Sequence, residues 1–327
     1  MPQSLYSRMR RRAGQFYRRW ARGVRDEHVW FRPEDIESLR ATFYASGSGA
    51  GPEWEPFLHA HMRLPDWFQH GLDPWSPSYR DQQLRLWSLV AGVDELYEPH
   101  RHEKEAPWGD IDAVRQPGYY LRRDPGAVTS ASDHWLATGM LLKHCGLRAG
   151  DHALEYGAGF GQTALALARL GVEVETVDIS ETFCRHVRTQ AEFFQVPLRA
   201  HHGEFGWNPV QGRRYQLVWF YESFHHCLAF DTVVPALREL LAPGGKVILG
   251  GEPVMPEGHP AVPYPWGVRL HSEVAAVVRQ TGWMELGFSE PFLFEMFRRS
   301  GFRGRRIDCE PSLYGRLFVF EPDEPGR

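Results

Sequence analysis

Residues 155–162, Glu-Tyr-Gly-Ala-Gly-Phe-Gly-Gln (EYGAGFGQ), decide the fold of this chain of 327 residues. Three glycines, Gly157, Gly159 and Gly161, follow the apolar stretch 151–156 (DHALEY) and precede the small-residue stretch 162–170 (QTALALARL), a pattern that reads as strand, tight turn and helix. Glycine lets the backbone turn sharply and lets a ligand rest on it without a Cβ in the way. Such a turn also suits a dinucleotide pyrophosphate at the helix N-terminus. The spacing separates the two: a dinucleotide fingerprint is GxGxxG, whereas here the third glycine comes one residue early and Gln162 takes the place of the last. Glu155 adds a carboxylate just before the turn, which suits a ligand carrying an ammonium group and repels pyrophosphate. A second strand, 172–177 (VEVETV), leads to Asp178, 21 positions beyond Gly157, where an acid can accept hydrogen bonds from both hydroxyls of a ribose.

Outward from this turn the alternation continues. Residues 181–194 (ETFCRHVRTQAEFF) predict a helix with Ser180 as N-cap, a short third strand falls near Leu198, and 215–221 (YQLVWFY) predict a buried fourth strand. A helix over 232–241 ends at Pro243-Gly244-Gly245, and 246–250 (KVILG) form a fifth strand. A helix over 289–300, with Ser289 capping, Pro291 in its first turn and Gly301 past its end, precedes two strands over 305–309 and 316–320. Strands alternating with helices predict an α/β fold with a mainly parallel sheet over residues 131–327. The segment 252–288 is too long for an ordinary connection and opens with prolines at 253, 256, 260, 263 and 265, so it reads as an inserted lid or binding loop. Residues 1–130 are rich in tryptophan, proline and histidine and have one clear helical stretch, 79–91. They predict a mostly helical extension that caps the substrate side of the α/β domain, an independent small domain being the alternative.

In order along the chain, ALEYGAGFGQTALALARLG, VETVDIS, YQLVWFYESFHH and LRELLAPGGKVILGGEP resemble the motifs of class I S-adenosylmethionine-dependent methyltransferases, a likeness covering residues 130–321. The resemblance implies a Rossmann-like sheet of seven strands, helices on both faces, with a reversed final hairpin. It also implies S-adenosylmethionine as cofactor and S-adenosylhomocysteine as product. Glu155 and the backbone of Gly157, Ala158, Gly159 and Gly161 would hold the methionine moiety, Asp178 the ribose, and Ile179 would pack on adenine. Glu204 and Phe205 stand where the family places an acid near the adenine amino group, with glutamate replacing the commoner aspartate.

Methyl transfer from a sulfonium is an in-line displacement, so positioning and desolvation supply much of the rate. For a hydroxyl acceptor a general base also helps, and Glu222-Ser223-Phe224-His225-His226 bring two imidazoles and a carboxylate to the end of the fourth strand. His225 or His226 is the first choice for that base, the alternative being a ring that packs beneath the cofactor, and Glu222 is the third candidate. An Asn-Pro-Pro-Tyr or Asp-Pro-Pro-Tyr stretch, which would hold an exocyclic adenine nitrogen, does not occur at this position. Glu252, Tyr264, Trp266 and His271 are candidates for the acceptor side. The 16 histidines, including the pairs His59/His61 and His100/His102, lack a matching set of acids or cysteines at known ligand intervals, and the expectation is no metal.

With 43% hydrophobic and 24% charged residues and a net charge of -4, the composition is that of a globular chain, for which the cytoplasm is the expected compartment. Four scattered cysteines predict reduced thiols. Residues 1–25 differ: they carry eight arginines and no acid, and Leu5, Met9, Ala13, Phe16, Trp20 and Val24 recur at helical spacing. Such a helix suits a peripheral anionic membrane surface, nucleic acid, or packing of its stripe on the rest of the protein. The sequence therefore predicts a methyltransferase acting on a small-molecule or glycan acceptor, at oxygen, with an RNA methyltransferase and a non-catalytic binding module as alternatives.

Overall fold

The computed structural model describes residues 29–124, 126–256, 258–259 and 262–323. The basic segment 1–25 lies outside the described residues. The chain opens with β1 (Val29–Phe31), α1 (Ile36–Ala45), β2 (Ala60–Met62), which pairs in parallel with β1, α2 (Pro77–Ala91), the single turn α3 (Pro99–His102) and α4 (Ala127–Cys145). The helix α2 starts two residues before the predicted stretch because Ser76 caps it, accepting from the Tyr79 amide at 3.2 Å, and Pro77 fills the first turn.

The α/β part then runs β3 (His152–Tyr156), α5 (Gln162–Ala168), β4 (Glu173–Asp178), α6 (Glu181–Phe194), β5 (Leu198–His202), β6 (Tyr215–Tyr221), α7 (Phe230–Leu240) and β7 (Leu241–Gly250). After β8 (Val254–Met255), β9 (Trp266–Val268), α8 (Ser272–Thr281) and β10 (Leu286–Ser289), it ends with α9 (Glu290–Arg299), β11 (Phe302–Ile307) and β12 (Leu317–Pro322). Seven strands form the main sheet in the order β11-β12-β7-β6-β3-β4-β5, parallel from β7 to β5, with β12 antiparallel to both of its neighbours. This is the class I methyltransferase arrangement that the motifs implied. The order reverses at β3, between β6 and β4, and a crevice opens beyond the carboxyl ends of the strands there.

Alternation along the strands divides the core. Leu154, Tyr156, Val218 and Phe220 face one side, while Ala153, Leu217 and Trp219 face the other with α4, α5 and α6. The largest boundary difference from the sequence reading is at the fifth strand: β7 begins at Leu241, opposite Tyr215, and not at Lys246. The Pro-Gly-Gly run is a bulge within the strand, with Gly244 at φ 74° and no room for a Cβ on Gly245, which would meet the Tyr215 carbonyl oxygen at 2.7 Å.

The insertion 252–288 is built of regular elements, contrary to the irregular lid expected. Its strands form a small sheet in the order β8-β10-β9, and α8 packs against α1, where Arg40 donates to Gln280 at 2.7 Å. Trp87, Trp54, Trp266 and Phe288 are buried in the same apolar cluster as Tyr156 and Phe220 of the main sheet. The two tryptophans nearest the seam also satisfy their indole N–H groups across it, Trp87 on the Trp283 carbonyl at 3.2 Å and Trp266 on the Pro74 carbonyl at 2.9 Å. The N-terminal extension and the insertion therefore share one core.

Candidate functional site

A cavity of about 760 Å³ occupies the crevice at the ends of β3, β4 and β6. The glycine turn forms its floor, and its glycines are required for two different reasons. Gly157 has φ 65°, and a Cβ there would lie 2.5 Å from the Ser223 Cβ; Gly161 has φ 66°, and a Cβ would lie 2.6 Å from Val187. These two close the turn on its neighbours. Gly159, at φ 52°, meets nothing within 4 Å and leaves bare backbone facing the cavity. Its N–H donates to Asp178 Oδ2 at 2.9 Å, and the Ser180 N–H donates to Oδ1 at 2.9 Å, so the carboxylate on the cavity wall is fixed at both oxygens. Burial pushes Asp178 up to about 6 against the pull of those two bonds.

Ile179, Glu204 and Phe205 line the cavity as the sequence placed them. Glu204 is already engaged by His100, whose Nε2 stands 2.5 Å from its carboxylate. Glu155 is a correction. It is 1% exposed and faces away from the cavity toward α5, taking a hydrogen bond from the Thr163 hydroxyl on one oxygen. Its other oxygen has no partner, and burial pushes the group up to about 8, so it is protonated near neutrality and does not meet a ligand's ammonium group directly. The strand's own alternation sets this: Glu155 shares its face with Trp219 and α5, opposite to Leu154 and Tyr156. Ala158 and Gly161 also stay off the cavity wall.

The wall opposite the glycine turn comes from the N-terminal extension. Glu105 accepts from the Ser180 hydroxyl at 2.7 Å, from the Glu181 N–H at 2.8 Å and from the Thr182 N–H at 3.3 Å, and so caps α6 from 75 positions away. Burial alone would raise this carboxyl, but the bonds outweigh it and hold Glu105 below its usual range. Beside it, the Trp108 carbonyl accepts from His186 Nε2 at 2.7 Å, and its ring lies 5.6 Å from that of Phe160. Sequence reasoning missed this strap, since no local signal marks a cap supplied by so distant a residue.

The predicted catalytic stretch divides in two. Glu222, the residue after β6, stands in the left-handed region, φ 50°, and lines the cavity. Its side chain is 31% exposed at the cavity edge, and desolvation there, then the Glu252 charge, raise it to about 8. His134 of α4, unnoticed in the sequence, stands 3.3 Å from it through Nδ1, which also lies 2.7 Å from the Tyr221 hydroxyl. His226 lines the cavity and donates from Nδ1 to the Met284 carbonyl at 2.5 Å. His225 does not line it: the ring is buried, with Nδ1 2.9 Å from Glu252, and burial next to His226 pushes it well below its ordinary value.

Of the acceptor-side candidates, Glu252 is a buried cap for the turn Phe224–His226, taking the N–H groups of Ser223, Phe224 and His225 at 2.9–3.1 Å. Tyr264 lines a second cavity of about 750 Å³ with Trp30, Arg63 and His259, away from the glycine turn. Trp266 is buried under Tyr79, and His271 is half-buried with its ring 5.4 Å from those of His61 and His259. These three residues were expected at the cofactor cleft; the insertion's small sheet carries them elsewhere. Glu285, absent from the sequence reading, lies 3.6 Å from His225 Nε2 and is ion-paired with Arg269. The four cysteines are free thiols, three of them buried.

Residues 153–245 match a methyltransferase domain family. The protein-L-isoaspartate O-methyltransferase of Methylorubrum extorquens is 30% identical over 121 residues, 36% of this chain and 48% of that protein. The enzyme of the same name from Anaeromyxobacter dehalogenans is 33% identical over 107 residues, 32% and 47% of the two. The chain thus spans about half the length of the curated relatives it matches. A solved structure of Burkholderia thailandensis 1,6-didemethyltoxoflavin-N1-methyltransferase, with bound 1,6-didemethyltoxoflavin and S-adenosylhomocysteine, is 19% identical, with 60% of this chain and 84% of that one covered and a TM-score of 0.44. Among the described residues, no helix is long and apolar enough to cross a membrane.

Proposed function

Because the chain carries a class I S-adenosylmethionine-dependent methyltransferase domain, we propose that it moves a methyl group from S-adenosylmethionine to an oxygen of a small-molecule or glycan acceptor, with Glu222 taking the acceptor's proton. The residues fit the cofactor. Gly159 offers backbone with no Cβ in the way, and Asp178 presents a carboxylate already aligned for ribose hydroxyls. When bound, S-adenosylmethionine supplies an electrophilic methyl group on a sulfonium.

The observation that carries the reading is Glu222. It sits on the cavity wall at the end of β6, in a backbone conformation that costs energy and that functional sites often retain. A base works best with a pKa near the working pH, and about 8 is such a value, whereas His225 is off the wall. His134 behind it stands 3.3 Å away and holds the carboxylate in place. His226 projects from the same wall and orients the acceptor, while Trp108 and the strap around Glu105 shield the site from water. A cavity of about 760 Å³ suits a nucleoside and a small acceptor together.

Calorimetry and turnover test this together. The protein is expected to bind S-adenosylmethionine, Asp178→Ala to bind it at least about tenfold more weakly, and Glu222→Gln to bind it normally while losing about 10²–10⁴-fold in turnover. Absence of binding by the unaltered protein refutes the cofactor assignment, and full turnover by Glu222→Gln refutes the base.

A further inference from the structure

We propose that His225, His226 and Glu285 form a binding site for a divalent transition-metal ion in the wall of the cofactor cavity, with zinc the ion that these ligand types favour. One donor atom from each residue lies within 4.8 Å of the other two. A tetrahedral set with bonds of about 2.0–2.1 Å spaces its donors about 3.3 Å apart, so binding asks the three to close by at most about 1.5 Å.

Each ligand is already held from behind. His225 donates from Nδ1 to Glu252 at 2.9 Å and His226 from Nδ1 to the Met284 carbonyl at 2.5 Å, which leaves Nε2 of both rings as the lone-pair atom. A carboxylate or carbonyl behind each imidazole is the outer arrangement that orients metal-bound histidines. Arg269 pairs with Glu285 through Oε2, the oxygen that also faces His225, and so fixes the carboxylate beside the ring. The His225–His226 pair is rigid in its own right, because three backbone N–H groups of its turn converge on Glu252.

Charge points the same way. His225 Nε2 stands 3.6 Å from Glu285 Oε2, too far for a hydrogen bond, so a buried lone pair faces a buried carboxylate oxygen. A cation shared by both atoms removes that repulsion. His225 lies between two acidic side chains, Glu252 at Nδ1 and Glu285 near Nε2, and of these Arg269 pairs with Glu285. Because His226 belongs to the cavity wall, the ion's remaining position faces the cavity, as in sites with three protein ligands and one exchangeable place. There it would hold an acceptor oxygen and ease the loss of its proton to Glu222. That role rests on the methyl-transfer reading; the binding of the ion does not.

The test uses the full chain, stripped with a chelator and titrated with Zn²⁺ by calorimetry and with Co²⁺ by visible absorption. One ion per chain is expected, with intense Co²⁺ bands of a low-coordinate site. His226→Ala and Glu285→Gln should each weaken binding at least about tenfold, and Glu252→Gln, which acts through His225, about 10–100-fold. His271→Ala, in the separate histidine group with His61 and His259, should leave it unchanged. The proposal is overturned if the unaltered protein binds no stoichiometric Zn²⁺ tighter than about 10 µM, or if His271→Ala abolishes binding while Glu285→Gln does not. The titration of unaltered protein decides the matter even where a variant fails to fold. Normal binding of S-adenosylmethionine alongside a negative metal result leaves the methyl-transfer reading standing.

Discussion

Gly157 and Gly159 have similar backbone angles, φ 65° and 52°, but opposite surroundings, and substitution separates turn from ligand. Gly157→Ala adds a Cβ 2.5 Å from Ser223 on top of the left-handed strain, so about 2 kcal/mol or more of stability should be lost in urea unfolding. Gly159→Ala adds only the strain, about 1–2 kcal/mol, and its main effect should be a loss of S-adenosylmethionine affinity in calorimetry. Equal stability losses would show that the crowding at Gly157 relaxes freely. Both glycines, and Asp178, were legible in the sequence because spacing along one chain segment sets their positions. Glu155 was legible as a residue and misjudged as a contact: strand alternation turns it toward Thr163 and Trp219. His134 was not legible, since it meets Glu222 only through the packing of α4 on the end of β6.

Among the elements, α6 shows which features sequence can and cannot supply. Ser180 was readable as its N-cap, and it accepts from the Phe183 amide at 3.2 Å. The same hydroxyl donates to Glu105, which also takes two backbone amides of the first turn, so two side chains from distant segments satisfy one helix end. Glu105→Ala should cost about 1 kcal/mol, the usual worth of a cap. Amide exchange should then quicken at Glu181 and Thr182 but not at Phe183, which Ser180 still holds. Unchanged exchange at all three would mean that water replaces the carboxylate without loss. The insertion was misread at this scale for a related reason: strands of two to four residues among prolines carry little periodicity, and their partners lie on other elements.

At the scale of the molecule, burial of acids couples stability to pH. Glu155 and Glu222 are raised to about 8, Glu252 to about 7 and Asp178 to about 6, each chiefly by burial, whereas the unfolded chain titrates them at ordinary values near 4. Between those limits the folded state holds more protons than the unfolded state, and stability falls as pH rises. The contribution is whole below the unfolded values and lost through the folded ones. Glu105 and Glu285 are lowered and act in the opposite sense in acid, and His134, His225 and His271, each lowered by burial, do so up to the ordinary histidine value of about 6.5. Above about pH 7 the raised acids dominate, so the melting temperature of ligand-free protein should decline from about pH 7 to pH 9 and level off above, as read by differential scanning calorimetry. Glu155→Gln removes one of the two largest contributions without touching the cavity wall and should flatten the decline. A melting temperature that is constant or rises across this range would mean that these carboxyls ionise normally in the folded protein. Turnover should move the other way, rising toward pH 8 as Glu222 gives up its proton, so the ionisation that activates the proposed base is one that burial opposes.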